Sequence, residues 1–327
     1  MKLPQLLIAF LLGLATVQAA PPTPEPKVNL GGIPSPILFK GDATTAYRDP
    51  AVVYHDGIFR MFYSYIKIEE GKPYWFTAVS RSANLMNWTP PRLLTPRDLN
   101  LNFSSPGNVI RFGDEWVLCL QTYPRPNGEK YGNDTARLWV MRSTDLESWS
   151  APEVLRVKGP DVPVEKMGRM IDPFLLQDKD DPGKWWCLYK QNGIRISWSR
   201  DLRTWTDVGP ILGGENPCGL VDGSEYVLFY SPDNGIGVKR SNDLKTFRNT
   251  GKIVLGQKEW PWAKGRLTAG FVLDLHAEKE IGKYLMFFHG SGPQDERTMF
   301  DNDCSIGIAW SDNLTDWSWP GKKEIAH

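Results

Sequence analysis

Beyond its first twenty residues the chain has no long apolar run, and nothing approaches the roughly 20 apolar residues that a membrane-spanning helix needs. Neither charge is in excess: 38 basic residues face 38 acidic ones, and removing Lys2 with the leader leaves one net negative charge. Phosphate binding needs a clustered basic surplus, so nucleic acid is excluded as a partner. Cysteine is scarce. Cys119, Cys187, Cys218 and Cys304 follow no metal-ligand spacing, and three disulfide pairings are open to them. Cys119 and Cys187 lie inside apolar runs and read as ordinary buried thiols. Long segments of helical period are also missing, while Trp (14), Tyr (11) and Gly (30) are plentiful, which points to many short strands.

The opening MKLPQLLIAFLLGLATVQAA has one lysine, an apolar run of about a dozen residues and a small-residue end, the three-part layout of a secretory signal peptide. Cleavage is expected near Ala19 or Ala20, with a secreted or periplasmic product. No cysteine follows the small residues, which argues against a lipid anchor. PPTPEPK reads as a tether, and 21–40 as tether and lead-in. In an oxidising compartment the four cysteines permit up to two disulfides. Sequons stand at Asn87, Asn102, Asn133 and Asn313. The remaining chain is long enough to bury a full core, with no composition break that forces two domains.

An internal repeat is the most informative feature. SRSANLMNW, MRSTDLESW, SWSRDLRTW, KRSNDLKTF and AWSDNLTDW share a serine, an Asp or Asn, a leucine and, three residues later, an aromatic. Ahead of each lies a short apolar run: IFRMFYSY, EWVLCLQTY, KWWCLYKQ, EYVLFYS and KYLMFFHG. Ahead of each run lies a segment leading into a turn: DPAVVYHDG, PGNVIRFGD, DPFLLQDKDDPG, NPCGLVDG and TAGFVLDL. The first two elements pair as a hairpin, and the apolar run reads as a strand covered on both faces. Five such units, their leucines 42 to 70 residues apart, predict an all-β five-bladed propeller with four-stranded antiparallel blades. Blades are expected near 41–98, 99–160, 161–210, 211–256 and 257–321, followed by a short tail at 322–327. A β-sandwich of this size has no reason to repeat the corner five times, and solenoid coils would be more evenly spaced. The corner's Asp or Asn is expected to cap its own turn, with the leucine and aromatic plugging the space between blades.

In a propeller the first strand of each blade lines the axis, so its start opens onto a central funnel. Asp49, Asp172 and Glu215 stand at three of these starts, each close to a proline. Gathered carboxylates repel one another and raise at least one pKa. Paired acids with separated pKa values are what glycoside hydrolysis needs: one to protonate the leaving oxygen, one to activate water or attack carbon. Further funnel candidates are Arg48, Asn108 and Arg266, with His289 at the end of the second strand of blade five. Trp260 and Trp262 precede the fifth axial strand, where an indole can stack on a sugar ring.

The run RDPAVVYHDGIFRMFYS, SPGNVIRFGDEWVL, IDPFLLQDKDDPGKWWCLY, ENPCGLVDGSEYVLFYS resembles glycoside hydrolase family 43 and its propeller relatives, among them arabinofuranosidases, xylosidases and arabinanases. The similarity spans four blade openings, from about Asp49 to Ser231. It implies an inverting hydrolase of poly- or oligosaccharides with Asp49 as general base, Asp172 as modulator and Glu215 as general acid. Asp172, beside Glu215, is then expected to hold the proton on Glu215 by like-charge repulsion. Glu215 lies in Glu-Asn-Pro, where that family more often has Glu-Gly-Pro or Glu-Ala-Pro. Counted back from the apolar strand, Asn216 takes the place of Asp49, so the glutamate enters one residue earlier. The resemblance requires no cofactor, allows a calcium ion near the axis beside a blade-five histidine such as His289, and suits a monomer. Two other readings stay open: a retaining enzyme like those of family 32, whose Asn-Asp-Pro-Asn opening is absent, and a non-catalytic sugar-binding propeller. The corners resemble sialidase Asp-boxes only loosely, because the glycine of that motif is missing.

Overall fold

The computed structural model describes residues 28–322; the expected leader, most of the tether and 323–327 lie outside the described residues. The chain is all-β and forms five antiparallel blades in sequence order. Blade one comprises Thr45–His55, Ile58–Glu69, Lys72–Ser82 and Arg92–Leu93; blade two Phe103–Phe112, Glu115–Thr122, Leu138–Ser143 and Glu153–Val154. Blade three comprises Ile171–Gln177, Trp185–Lys190, Ile194–Ser199 and Trp205–Leu212; blade four Glu215–Asp222, Glu225–Ser231, Ile236–Ser241 and Arg248–Ile253. Blade five begins with Arg266–Leu275, Lys283–Ser291 and Cys304–Ser311. Its outer edge comes from both ends of the chain: Ile37–Phe39 pairs with Ile306 and Gly307, and Trp317–Ser318 pairs with Trp310 and Ser311. Part of the expected lead-in is thus a blade strand. The five innermost strands touch in ring order, the fifth returning to the first, and so surround a central axis.

The second strands carry the core. Phe59, Met61, Phe62 and Tyr63, then Val117 to Leu120, Cys187 to Tyr189, Val227 to Phe229 and Leu285 to Phe288 are all fully buried, as a strand covered on both faces requires. All four cysteines are free and buried. They serve as small apolar side chains, so neither of the two permitted disulfides forms.

The repeated corner is a capped turn in every blade. Oδ1 of Asn84, Asp145, Asp201, Asp243 and Asn313 accepts the backbone N–H groups two and three residues on, at 2.7–3.0 Å. The leucine that follows takes a positive φ each time: Leu85 66°, Leu146 63°, Leu202 54°, Leu244 56° and Leu314 63°. A branched side chain in that region costs about 1–3 kcal/mol. The strain is offset because the turn drives each leucine into the core, where none is more than 4 % exposed.

Candidate functional site

The same irregularity occurs once in every inner strand. Between Arg48 and Ala51, Ser104 and Asn108, Ile171 and Phe174, Glu215 and Cys218, and Thr268 and Phe271 the pairing register shifts through a bulge. Each bulge holds one residue of positive φ: Asp49 50°, Ser105 41°, Asp172 54°, Asn216 48° and Ala269 52°. Proline follows in four blades and Gly270 in the fifth. A bulge releases a backbone N–H from the ladder, so proline fits there, and the kink re-aims the side chain before it. Asn216, not Glu215, is therefore the geometric equivalent of Asp49 and Asp172, and Glu215 occupies the place of Arg48, Ser104, Ile171 and Thr268. Blades two and three approach so closely that a Cβ on Gly107 would lie 1.5 Å from the Pro173 carbonyl oxygen.

These bulges line the floor of a funnel. Around the axis the ring of prolines and their neighbours lines a space of about 310 Å³ that is partly open to solvent. Above it, an inner pocket of about 410 Å³ brings together Asp49, Asp172 and Glu215 with Arg48, Arg266 and His289. It opens, across Glu215 and Arg266, into an outer bowl of about 1630 Å³. One wall is aromatic. Trp75 stacks on Tyr123 at 5.3 Å, Phe300 packs on Trp75 at 5.4 Å, and Tyr131 meets Phe300 edge-on at 5.0 Å.

Adjacent blades are joined at the bulges by one recurring hydrogen bond. The second-strand residue paired opposite the residue before each bulge is Ser64, Gln121, Lys190, Ser231 or His289. Its side chain accepts the N–H of the next blade's positive-φ residue: Ser105 to Ser64 at 2.7 Å, Asp172 to Gln121 at 2.6 Å, Ala269 to Ser231 at 3.0 Å and Asp49 to His289 Nδ1 at 3.0 Å. Lys190 has no acceptor. There the N–H of Asn216 donates to Asp172 Oδ2 at 3.3 Å, and the Lys190 ammonium pairs with Glu215 Oε2.

Asp49 Oδ2 accepts from Ser64 Oγ at 2.7 Å, and Asp172 Oδ1 from Ser105 Oγ at 3.3 Å. Burial raises Asp172 to about 7, with help first from the Glu215 carboxylate and then from Asp49, against the pull of Lys190. Glu215 goes the other way. Burial alone would raise it, but Lys190 on one oxygen and Arg266 on the other hold it below the ordinary value. The structure therefore reverses the expected proton placement: repulsion between the two carboxylates keeps the proton on Asp172, because the two cations lie on Glu215.

Glu296 is a fourth acid, and sequence reasoning missed it. It sits in the segment between the second and third strands of blade five, pairs with Arg48 and Arg266, and is held far below the ordinary range despite its burial. The same segment stacks Phe300 under the Arg48 guanidinium at 4.7 Å and pairs Asp301 with Arg125. No motif marks it, since its partners Arg48 and Arg266 lie 248 and 30 residues away in sequence. Lys190 was legible in principle: aligning the five apolar runs from their first residues, Ile58, Glu115, Lys184, Glu225 and Lys283, sets one lysine against Ser, Gln, Ser and His.

Three expected binding residues are placed elsewhere. Asn108 bridges blades, with Nδ2 donating to the Leu175 carbonyl at 2.7 Å and Oδ1 accepting the Leu175 N–H at 2.9 Å, so its amide is spent on structure. Trp260 is 8 % exposed and stacks on Trp262 at 5.3 Å and on Phe288 at 5.9 Å. Neither indole lines the funnel; the loop packs them against the second and third strands of blade five instead. His289 is buried between Asp49 and Glu296. Its Nδ1 is occupied by the Asp49 N–H, Nε2 faces Glu296 at 3.6 Å, and among the described residues no group of three or more His, Cys, Asp or Glu side chains is arranged to hold a metal. Burial, then the Arg48 charge, lowers the His289 pKa, so the imidazole is neutral with its proton on Nε2.

No protein-family model matches this chain, and no curated protein matches it. Solved structures do. An exo-1,5-α-L-arabinanase from a bovine ruminal metagenomic library superposes with a TM-score of 0.59 at 15 % identity, covering 84 % of this chain and 97 % of that one. A β-1,3-galactosidase of glycoside hydrolase family 43, with galactodeoxynojirimycin, gives 0.60 at 13 %, over 87 % of this chain and 100 % of that one. A family 43 enzyme from Xanthomonas citri complexed with xylotriose gives 0.56 at 13 %, over 89 % and 96 %. At these identities the likeness shows the five-bladed fold.

Proposed function

We propose that this protein is a secreted glycoside hydrolase that cleaves a glycosidic bond in a poly- or oligosaccharide by carboxylate acid–base catalysis with inversion, in the manner of arabinofuranosidases and xylosidases. The observation that carries the reading is the convergence of Asp49, Asp172 and Glu215 on one pocket, in a fold shared with a solved arabinanase and a solved galactosidase. Asp49 is the general base that draws a proton from water, its carboxylate oriented by Ser64 Oγ. Glu215, at the mouth between inner pocket and bowl, protonates the leaving oxygen, and Asp172 carries the proton reserve next to it. Arg266 fixes Glu215, and Arg48 acts through Glu296. On the aromatic wall the exposed Tyr131 and half-buried Phe300, backed by the buried Trp75 and Tyr123, offer an apolar face to a sugar ring, the role expected of Trp260 and Trp262. The protein acts as a monomer, without a cofactor.

The test is a screen of the purified protein against aryl glycosides and plant or algal polysaccharides, followed by proton NMR of the first anomer released. Release of the inverted anomer is the expected result. A retained anomer would transfer Asp49 to the nucleophile's role, with carboxyls about 5–5.5 Å apart rather than 6.5–9.5 Å. No hydrolysis of any substrate would leave a sugar-binding propeller.

A further inference from the structure

The five-fold comparison isolates one residue. In four blades the second-strand residue paired beside the bulge has a side chain that accepts the next blade's N–H; in blade three that residue is Lys190, which can only donate. A structural role alone would favour Ser or Gln here, since both serve at equivalent places. Lysine costs the ring one of its five hydrogen bonds, and Asp172 must supply the missing acceptor to Asn216. In return a cation lies against Glu215.

We propose that Lys190 is a positioning residue that sets the proton distribution of the site: it holds Glu215 ionised in the free protein, leaves the single proton on Asp172, and yields Glu215 when a substrate hydroxyl takes up the ammonium. This rests on the glycosidase reading for its purpose but not for its test. The charged groups around the pair are Lys190 and Asp172 on blade three, Arg266, His289 and Glu296 on blade five, and Arg48 and Asp49 on blade one. Arg266 is shared with Glu296, whereas Lys190 has Glu215 as its one ion-pair partner among the described residues, so Lys190 is the cation free to leave.

Carboxyl-carbon NMR titration of the full chain reads this without any substrate. In the wild type one carboxyl should titrate near pH 7, disappear in Asp172→Asn, and remain above the usual carboxylate range in Glu215→Gln. Lys190→Gln restores the acceptor that blade two carries at Gln121 and removes the cation. Both carboxyls then lose a group that favours their anion, so the last proton should leave roughly 1–2 pH units higher. Lys190→Arg should keep the wild-type midpoint. If hydrolysis is found, the alkaline limb of kcat/KM should rise in parallel for Lys190→Gln and stay put for Lys190→Arg. A near-neutral proton that vanishes in Glu215→Gln instead of Asp172→Asn overturns the proposal, and that test needs no Lys190 variant to fold. So does an unmoved midpoint in folded Lys190→Gln. Absence of activity in every variant would sink the glycosidase reading while leaving these titrations to stand or fall alone.

Discussion

At the residue scale, the site is a contest between burial and pairing. Glu215 and Asp172 are both largely removed from water, yet one is driven down and the other up, because Lys190 and Arg266 lie on Glu215. Glu215→Gln keeps the shape of the side chain and removes the donor. Hydrolysis of substrates with poor leaving groups should fall by roughly 10² or more, and activated aryl glycosides should suffer less. Equal losses on both would exclude Glu215 as the acid. Asp172 also makes a prediction for stability. Its folded pKa lies above the unfolded value, so folding takes up a proton between about pH 4 and pH 7 and stability declines across that window. Asp172→Asn cannot ionise and should escape that decline. Melting curves should show it gaining on the wild type as pH rises from 4 to 8, and a constant difference would show that Asp172 is not the buried acid.

At the scale of the element, the corner turns are five solutions of one problem, with Asp in three blades and Asn in two. Asp145 and Asp201 are lowered to about 2 and Asp243 is lowered as well: N–H groups at the turn favour the anion, and burial opposes this in each. Their stabilisation is present above the unfolded value and is lost as pH falls through the folded one. The triple variant Asp145→Asn, Asp201→Asn, Asp243→Asn should keep the fold, since Asn84 and Asn313 make the same turn. Its stability should change less than that of the wild type between pH 4 and pH 2, measured by urea midpoint. An equal acid dependence in both proteins would assign the loss to other carboxylates. The sequons divide by element too: Asn87 and Asn313 are exposed on corners, while Asn102 is fully buried and accepts the Trp75 N–H, closing it to a glycan.

For the whole molecule, closure of the ring is the cooperative step. Blade five is completed by Ile37–Phe39 and Trp317–Ser318, so both ends of the described chain cover one edge of the strand Cys304–Ser311. Phe39 also packs against Tyr47, Tyr63 and Trp88 of blade one, which seals the first blade to the last. Deleting residues up to Lys40 would expose that edge and this aromatic contact. The truncated chain should melt at lower temperature and self-associate, because a bare edge strand templates pairing with another chain. Light scattering and a melting curve decide it, and an unchanged, monomeric product would make the closure dispensable.

The sequence by itself determined the blade count and the corner, because each is a local pattern that recurs with the chain's own period, and that period put Asp49, Asp172 and Glu215 on three of the inner strands. It also placed Glu215 one residue ahead of its counterparts, which the positive φ of Asn216 repeats in three dimensions. Only the tertiary structure decided what those acids do electrostatically. The pairs Lys190–Glu215, Arg266–Glu215 and Arg48–Glu296 are 25, 51 and 248 residues apart, and no spacing rule reaches across blades. Trp260, Trp262 and Asn108 have the composition of sugar ligands but were claimed by packing and by the blade-to-blade ladder. A side chain's type sets what it is able to do; which neighbours arrive from other blades sets which of those abilities remains free, and in a ring closed around an axis those neighbours are always distant in sequence.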